Sequence, residues 1–128
     1  MRVLLDTHAL LWAAYQMELL SPRARRLIQS QRNEILVSAA SAWEIATKYR
    51  LGKLPFARDL VEDFVRTIAS AGYLLLSISV EYALRAGRLP AVHRDPFDRM
   101  LAAQAIHEDL VLVSNDTQLD LFGVRREW

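Results

Sequence analysis

The sequence contains no cysteine, and its few glycines are scattered along the chain. Without cysteine the chain has no disulfide, no thiolate ligand for a metal and no cysteine nucleophile. Its glycines are not grouped into a phosphate-binding loop, so nucleotide binding of that kind is not expected. A chain without disulfides suits a reducing compartment, and we expect a cytoplasmic protein.

The sequence also lacks long apolar runs and an excess of charge of either sign. No run approaches the roughly 18 apolar residues of a membrane span, and Asp6 and His8 interrupt the first apolar stretch too early for a signal peptide. The formal net charge is +1. Nucleic-acid binding would therefore depend on a local patch rather than on a global field.

Short apolar runs alternate with helical segments along the chain. The runs at residues 3–5, 35–37, 73–76 and 110–113 predict buried strands. None alternates with polar residues, which is typical of parallel strands covered on both faces. Between them we predict helices, including 39–51, a continuous helix over 58–71, 80–89 and a helix from 95 to about residue 109, and residues 123–127 predict an edge strand. The order predicts an α/β fold of three layers, with a mainly parallel sheet of four to five strands.

Acidic residues follow two of these strands. Asp6 ends the first, and Asp116 comes shortly after the strand at 110–113. The carboxyl ends of parallel strands meet at one edge of a sheet, where open α/β sheets bind ligands. Each acid can instead cap the helix that follows it. We favour function because both occur together.

A further pair of acids begins the helix predicted from residue 95. Asp95 has the position of an N-cap, with Pro96 at the first helical position. Asp98 then stands at the third position, where it either completes a capping box or points into the cleft. We interpret Asp95 as a cap and Asp98 as a candidate functional residue.

Glu44 lies in an otherwise nearly uncharged helix start. It either pairs with Lys48, one helical turn away, or binds a metal with the other acids. Converging carboxylates repel one another, and a divalent cation relieves that repulsion. Oxygen-only ligands favour Mg²⁺ or Mn²⁺ over zinc. We interpret the histidines as structural or surface residues, because His8, His93 and His107 lack ligand spacing.

Four stretches resemble the motifs of one family. Residues 4–12, 38–46, 93–99 and 113–116 resemble, in that order, the motifs of PIN-domain ribonucleases, and specifically of VapC toxins of type II toxin–antitoxin pairs. Each motif is weak alone, but together they span nearly the whole chain. The resemblance implies a single PIN domain over residues 1–128 with a three-layer α/β/α fold.

The resemblance also implies a function and a set of site residues. Asp6 and Asp98 would be the principal ligands of Mg²⁺, which Mn²⁺ can replace, and Glu44 and Asp116 would complete the acidic site. The implied activity is endoribonuclease cleavage that leaves a 5′-phosphate and a 3′-hydroxyl. The alternative is a catalytically degenerate module that binds RNA or a protein. A phosphoacceptor domain fits poorly, because Asp6 is followed by Thr7 rather than by a second acid.

Partners follow from the same resemblance. It implies an RNA substrate, a cognate antitoxin whose tail covers the acidic cleft, and a homodimer. Trp12 and Tyr15 either help to form an apolar groove for the antitoxin or belong to a core helix. Thr7, Lys48 and Arg99 are close enough in sequence to the acids to contact phosphate, although we favour solvated surface roles for Lys48 and Arg99.

Overall fold

A computed structural model describes residues 1–90 and 92–128. In these residues five strands form one sheet, and every neighbouring pair of strands is parallel. The predicted α/β class with a parallel sheet is therefore confirmed. In chain order the strands are β1 (Arg2–Leu5), β2 (Glu34–Ser38), β3 (Leu74–Leu76), β4 (Val111–Val113) and β5 (Arg125–Glu127).

Helices connect the strands and cover the sheet. Short 3-10 turns add to them at Met17–Leu19, Pro55–Ala57 and Thr117–Phe122. Each helix in the described part of the chain is too short or too polar to cross a membrane. The α-helices are α1 (Thr7–Tyr15), α2 (Pro22–Gln29), α3 (Ala39–Arg50), α4 (Arg58–Glu62), α5 (Phe64–Ser70), α6 (Val80–Arg88) and α7 (Pro96–His107).

The pleat of the strands divides the core into two apolar clusters, one on each face of the sheet. Successive side chains of a strand point to opposite faces. In β1, accordingly, Val3 and Leu5 belong to one cluster and Leu4 to the other. The first cluster packs against α1, α2, α4 and α5, and the second against α7 and the 3-10 helix Thr117–Phe122. This arrangement is the predicted three-layer architecture.

The prediction of one continuous helix over residues 58–71 is wrong. The chain breaks at Asp63, whose φ of −137° and ψ of 46° are not helical, and α4 and α5 lie on either side. The apolar residues of this stretch are not all covered, because Leu60 and Ile68 are buried while Val65 is 66% exposed. Leu60 of α4 and Ile68 of α5 nevertheless both belong to the core cluster on this face of the sheet.

The expectation that all strands are covered on both faces also fails at one edge. The sheet order is β3-β2-β1-β4-β5, so β3 is an edge strand. Its residues Leu74 and Leu75 are 49% and 45% exposed. The run of leucines that predicts burial therefore forms an open apolar edge.

The sheet order determines where a site can form. β1 is central and pairs with β2 on one side and β4 on the other. The strands after β1 are first added on one side of it, as β2 and β3, and then on the other side, as β4 and β5. The order therefore reverses between β1 and β4, and in such sheets ligands bind at the carboxyl ends of the strands where the order reverses. Asp6 follows β1 directly, and Asp116 follows β4 after two residues.

The buried and exposed leucines of the sheet provide a test of this core. Leu112 in β4 is fully buried, whereas Leu74 in β3 is half exposed. We expect Leu112→Ala to lower the free energy of unfolding by about 2–5 kcal/mol, and Leu74→Ala by about 1 kcal/mol or less. Urea denaturation followed by circular dichroism measures both. Equal losses would contradict the described packing.

Candidate metal centre

Asp6 joins the end of β1 to the start of α1. Its backbone N–H donates to the carbonyl of Val113 at 3.1 Å, which ties the ends of β1 and β4 together. Its side-chain Oδ1 accepts from the backbone N–H of Ala9 at 2.7 Å and caps α1. Asp6 is only 5% exposed. The capping role and a position at the sheet edge therefore coexist in this residue.

Asp116 and Asp95 are also N-caps. Asp116 Oδ1 accepts from the backbone N–H of Gln118 at 2.9 Å at the start of the 3-10 helix. Asp95 Oδ1 accepts from the backbone N–H groups of Phe97 and Asp98 at 2.9 and 3.2 Å, which confirms its predicted cap. Such a bond uses one lone pair and leaves the carboxylate able to bind a further partner.

Asp98 lies in the first turn of α7 and meets groups from other segments. Its Oδ2 is 2.8 Å from Nε2 of His93. One ligand atom from each of His93, Asp98 and Asp116 lies within 4.8 Å of the others, and within the described residues these form a group able to hold a metal ion. The helix starts at Asp98 and Asp116 thus lie close together, but this group includes His93 and does not include Asp6 or Glu44.

Glu44 sits in a separate buried hydrogen-bond network. Its Oε1 accepts from Oγ1 of Thr7 at 2.6 Å, and its other oxygen is ion-paired with Lys48. Thr7 also contacts the hydroxyl of Ser41 at 3.1 Å. Thr7 is buried and hydrogen-bonded to Glu44, so it orients that carboxylate. Lys48 forms an ion pair with Glu44 and does not have the solvated role that the sequence suggested.

Burial and mutual repulsion shift the titration of two of the acids. Desolvation is the main cause that raises the pKa of Asp6 to about 6, and it outweighs the opposing hydrogen bonds from Ser114 and Ala9. Desolvation also raises the pKa of Asp98, against the hydrogen bond with His93. The charge of Asp98 acts on Asp6, and the charge of Glu44 acts on Asp98. Asp98 is therefore electrostatically linked to both Asp6 and Glu44.

The sequence suggested a solvated surface role for Arg99, and the structure shows a different one. Its guanidinium donates to the backbone carbonyls of Ala86, Leu89 and His93, the last at 2.9 Å. It also lies over the ring of Phe122 at 5.8 Å. The side chain fixes the connection between α6 and α7, and with it the position of His93.

His93 is the site residue that the sequence reasoning missed. It precedes Asp98 by five residues and lies outside the helix, so it has none of the ligand spacings expected within a helix. Its ring packs edge-on against Phe122 at 5.8 Å. The signal was its place in the same charged stretch, residues 93–99, as the two acids.

Comparison with known proteins identifies related sequences. A family model described as PIN domain matches residues 3–124. Ribonuclease VapC16 from Mycobacterium tuberculosis is 71% identical over 31 residues. That match covers 24% of this chain and 22% of the relative. The chain therefore aligns with less than a quarter of that relative's length.

Solved structures share the fold over the whole chain. VapBC2 from Rickettsia felis, bound to a DNA fragment from its promoter, matches with a TM-score of 0.72 at 18% identity, covering 100% of this chain and 99% of that one. VapBC-1 from nontypeable Haemophilus influenzae matches with a TM-score of 0.66 at 15% identity, covering 99% and 97%. FitAcB from Neisseria gonorrhoeae matches with a TM-score of 0.62 at 16% identity, covering 97% and 95%.

The raised pKa of Asp6 predicts a pH dependence of stability in metal-free protein. The native state holds the Asp6 proton up to about pH 6, whereas an unfolded aspartate loses it near about pH 3.9. The native state thus binds more protons between these values, and stability falls as the pH rises through this window, on the order of 3 kcal/mol in total.

Asp6→Asn should remove this loss, which urea titrations from pH 4 to 7 in EDTA would measure. Carboxyl NMR of the same samples should place the Asp6 midpoint near pH 6. Asp120 is the internal control, because its hydrogen bond with Arg126 lowers its pKa. An identical pH dependence of stability in wild type and Asp6→Asn would contradict the assignment.

Proposed function

Because this chain belongs to the PIN-domain family, whose model matches residues 3–124, we propose that it is a metal-dependent endoribonuclease of the VapC type. It hydrolyses phosphodiester bonds of RNA and acts as the toxin of a type II toxin–antitoxin pair in the cytoplasm. The convergence of Asp98 and Asp116 with His93 carries the proposal. The short match to Ribonuclease VapC16 supports the substrate class.

The side chains at this edge of the sheet fit a divalent cation. Carboxylate oxygens are hard ligands of the kind that Mg²⁺ and Mn²⁺ prefer. The pKa values of Asp6 and Asp98 are raised in the metal-free chain, so the acids carry electrostatic cost that a cation would relieve. Mg²⁺ is therefore the proposed cofactor, with Mn²⁺ as a substitute.

We assign separate roles to the acids. Asp6 and Asp98 would hold the cation, with Asp116 completing the site. Glu44, fixed by Thr7 and Lys48, would orient the attacking water as a proton acceptor at its carboxylate. The cation itself would activate that water and neutralise charge on the leaving oxygen.

His93 would act on Asp98 rather than on RNA. Its Nε2 lies 2.8 Å from Oδ2 of Asp98; protonated at this nitrogen, it would donate to that oxygen and fix the direction of the other. Arg99 holds the carbonyl of His93 at 2.9 Å, so this orientation is supported by the connection between α6 and α7.

Partners are proposed on the same basis. The structural neighbours are VapBC and FitAB assemblies, and we propose that this chain likewise binds an antitoxin and forms a homodimer. The ring of Tyr15, 38% exposed, meets Phe56 edge-on at 5.2 Å. Trp12 packs between His8 and Trp128, each at 5.6 Å, so Tyr15 rather than Trp12 offers open area to an antitoxin.

RNA cleavage is the direct test of the activity. Purified protein should cut single-stranded RNA in Mg²⁺ or Mn²⁺, leaving 5′-phosphate ends, and should be inactive in excess EDTA. Asp98→Asn should lower kcat by orders of magnitude, because it removes a ligand at nearly constant shape. Asp59→Asn is the matched control, since Asp59 is an exposed acid in the first turn of α4.

The same assay separates the enzyme from a binding module. Sequencing of the RNA ends gives the cleavage sites and their chemistry. No cleavage in any divalent metal, together with retained RNA binding, would replace this proposal with the catalytically degenerate module. Full cleavage by Asp98→Asn would remove Asp98 from the metal site.

Thermal melts distinguish the ligand Asp98 from the cap Asp95. Without metal, Asp98→Asn should melt at or above the wild-type temperature. The substitution removes the repulsion between the acids and the cost of burying a charge. This gain should exceed the roughly 0.3–1 kcal/mol of attraction between that charge and the helix N-terminus. Asp95→Ala should lose about 0.5–2 kcal/mol with or without metal.

Mg²⁺ supplies the second half of this test. It should raise the melting temperature of the wild type and of Asp95→Ala by binding the native state, and that of Asp98→Asn much less. If Asp98→Asn is destabilised without metal and retains the full Mg²⁺ response, Asp98 is a capping residue and not a ligand.

A further inference from the structure

Asp116 lies on the short connection between β4 and the 3-10 helix Thr117–Phe122. A metal ligand has to be held within about 0.5 Å of its working position by the residues around it. A carboxylate on a short connection therefore depends on contacts that fix the connection itself. These contacts come from Ser114, two residues before Asp116, and from Arg126 of β5.

Ser114 joins two of the proposed site acids and is itself fully buried. Its hydroxyl oxygen accepts from the backbone N–H of Asp116 at 3.0 Å, and the same hydroxyl donates to the carboxylate of Asp6. The backbone N–H of Ser114 donates to the carbonyl of Glu127 at 3.1 Å, which ties the residue to β5. A change in the position of Ser114 would therefore affect both acids.

Arg126 contacts the connection on both sides of Asp116. Its Nη1 donates to the backbone carbonyl of Ser114 at 3.0 Å. Its Nε and Nη2 donate to the two carboxylate oxygens of Asp120, in the 3-10 helix, at 2.8 and 3.1 Å. A guanidinium that binds both oxygens of a carboxylate fixes its orientation as well as its distance. The Arg126 side chain is only 18% exposed, so little of it remains open to another molecule.

We infer that Arg126 is a positioning residue of the proposed metal site, which holds Asp116 beside Asp98 by fixing residues 114–120 on both sides of it. This inference rests on the proposed function. Without Arg126 both contacts are lost, and Asp116 can move away from Asp98. Residues that orient metal ligands typically contribute about 10-fold to 100-fold to metal affinity. Because Arg126 acts through the chain that carries the ligand, we expect the lower end of this range.

The charge of Arg126 alone would have the opposite effect on cation binding. The hydrogen bond with Asp120 is the main cause that raises the pKa of Arg126, and the charge of Asp116 adds to it. A positive charge close to the acids repels a cation, so its removal would by itself strengthen cation binding. Loss of the positioning contacts would weaken it. The sign of the change in affinity therefore distinguishes positioning from a simple charge effect.

Mn²⁺ binding without RNA, measured by electron paramagnetic resonance, is the first test. Arg126→Met should weaken Mn²⁺ binding about tenfold. The charge-balanced double variant Arg126→Met/Asp120→Asn should weaken it to a similar extent, because both changes break the same contact. Arg126→Lys, which keeps the charge and a hydrogen-bond donor, should recover part of the affinity.

Arg125→Met is the matched control for this measurement. Arg125 is the preceding residue of β5, so its side chain points to the opposite face of the sheet. It also pairs with an aspartate, Asp109, and its side chain is 63% exposed. Arg125→Met should bind Mn²⁺ as the wild type does. Unchanged or stronger binding of Mn²⁺ by Arg126→Met overturns the inference.

Amide hydrogen exchange in the metal-free protein separates positioning from a general loss of stability. The backbone N–H of Asp116 donates to Ser114, so its exchange rate reports on the opening of the connection. The amide of Leu112, in the buried strand β4, reports on global unfolding. Arg126→Met should accelerate exchange at Asp116 on the order of tenfold more than at Leu112. Equal acceleration at the two amides overturns the inference.

RNA cleavage distinguishes failure of this inference from failure of the proposed function. Arg126→Met should need about tenfold more Mg²⁺ for half-maximal cleavage, with the KM for RNA nearly unchanged at saturating Mg²⁺. A raised KM with an unchanged Mg²⁺ requirement would make Arg126 an RNA contact and overturn the inference. Equal Mg²⁺ requirements of Arg126→Met and Arg125→Met would overturn the inference alone. A wild type that neither binds Mn²⁺ nor cleaves RNA would reject the proposed function as well.

Discussion

The structure depends on placing carboxylates together at a half-buried edge of a parallel sheet. Asp6 is 5% exposed, and burial raises its pKa to about 6. The fold offsets part of this cost with helix N-termini, because Asp6, Asp95 and Asp116 each cap one and Asp98 lies in a first turn. The remaining cost of burying the charges of Asp6 and Asp98 is one that a bound cation would relieve, so the site is chemically suited to a metal.

Much of this arrangement follows from the sequence by simple rules. Unbroken apolar runs predict parallel strands, and parallel strands align their carboxyl ends. The Asp-Pro pair at residues 95–96 predicts a capped helix start, which the structure confirms. The sequence thus predicted the three layers and the parallel sheet, because both depend on local patterns and on one topological rule.

The errors have a common physical origin in tertiary context. The helix breaks at Asp63, whose backbone is not helical, and the apolar periodicity along 58–71 does not reveal this break. The exposure of Leu74 depends on the place of β3 at the sheet edge. Arg99 and His93 take their roles from contacts with backbone and side chains brought together by the connection between α6 and α7. Such partners are set by folding rather than by spacing along the sequence.

We propose that Asp6, Asp98 and Asp116 surround one cation position at the switch point of the sheet. Anomalous diffraction from crystals soaked in Mn²⁺ tests it most directly. We expect a peak bounded by the carboxylates of Asp98 and Asp116 and reached by Asp6, and its loss in Asp98→Asn crystals. A peak elsewhere on the chain, in a preparation that cleaves RNA, would show that these acids are not the metal site.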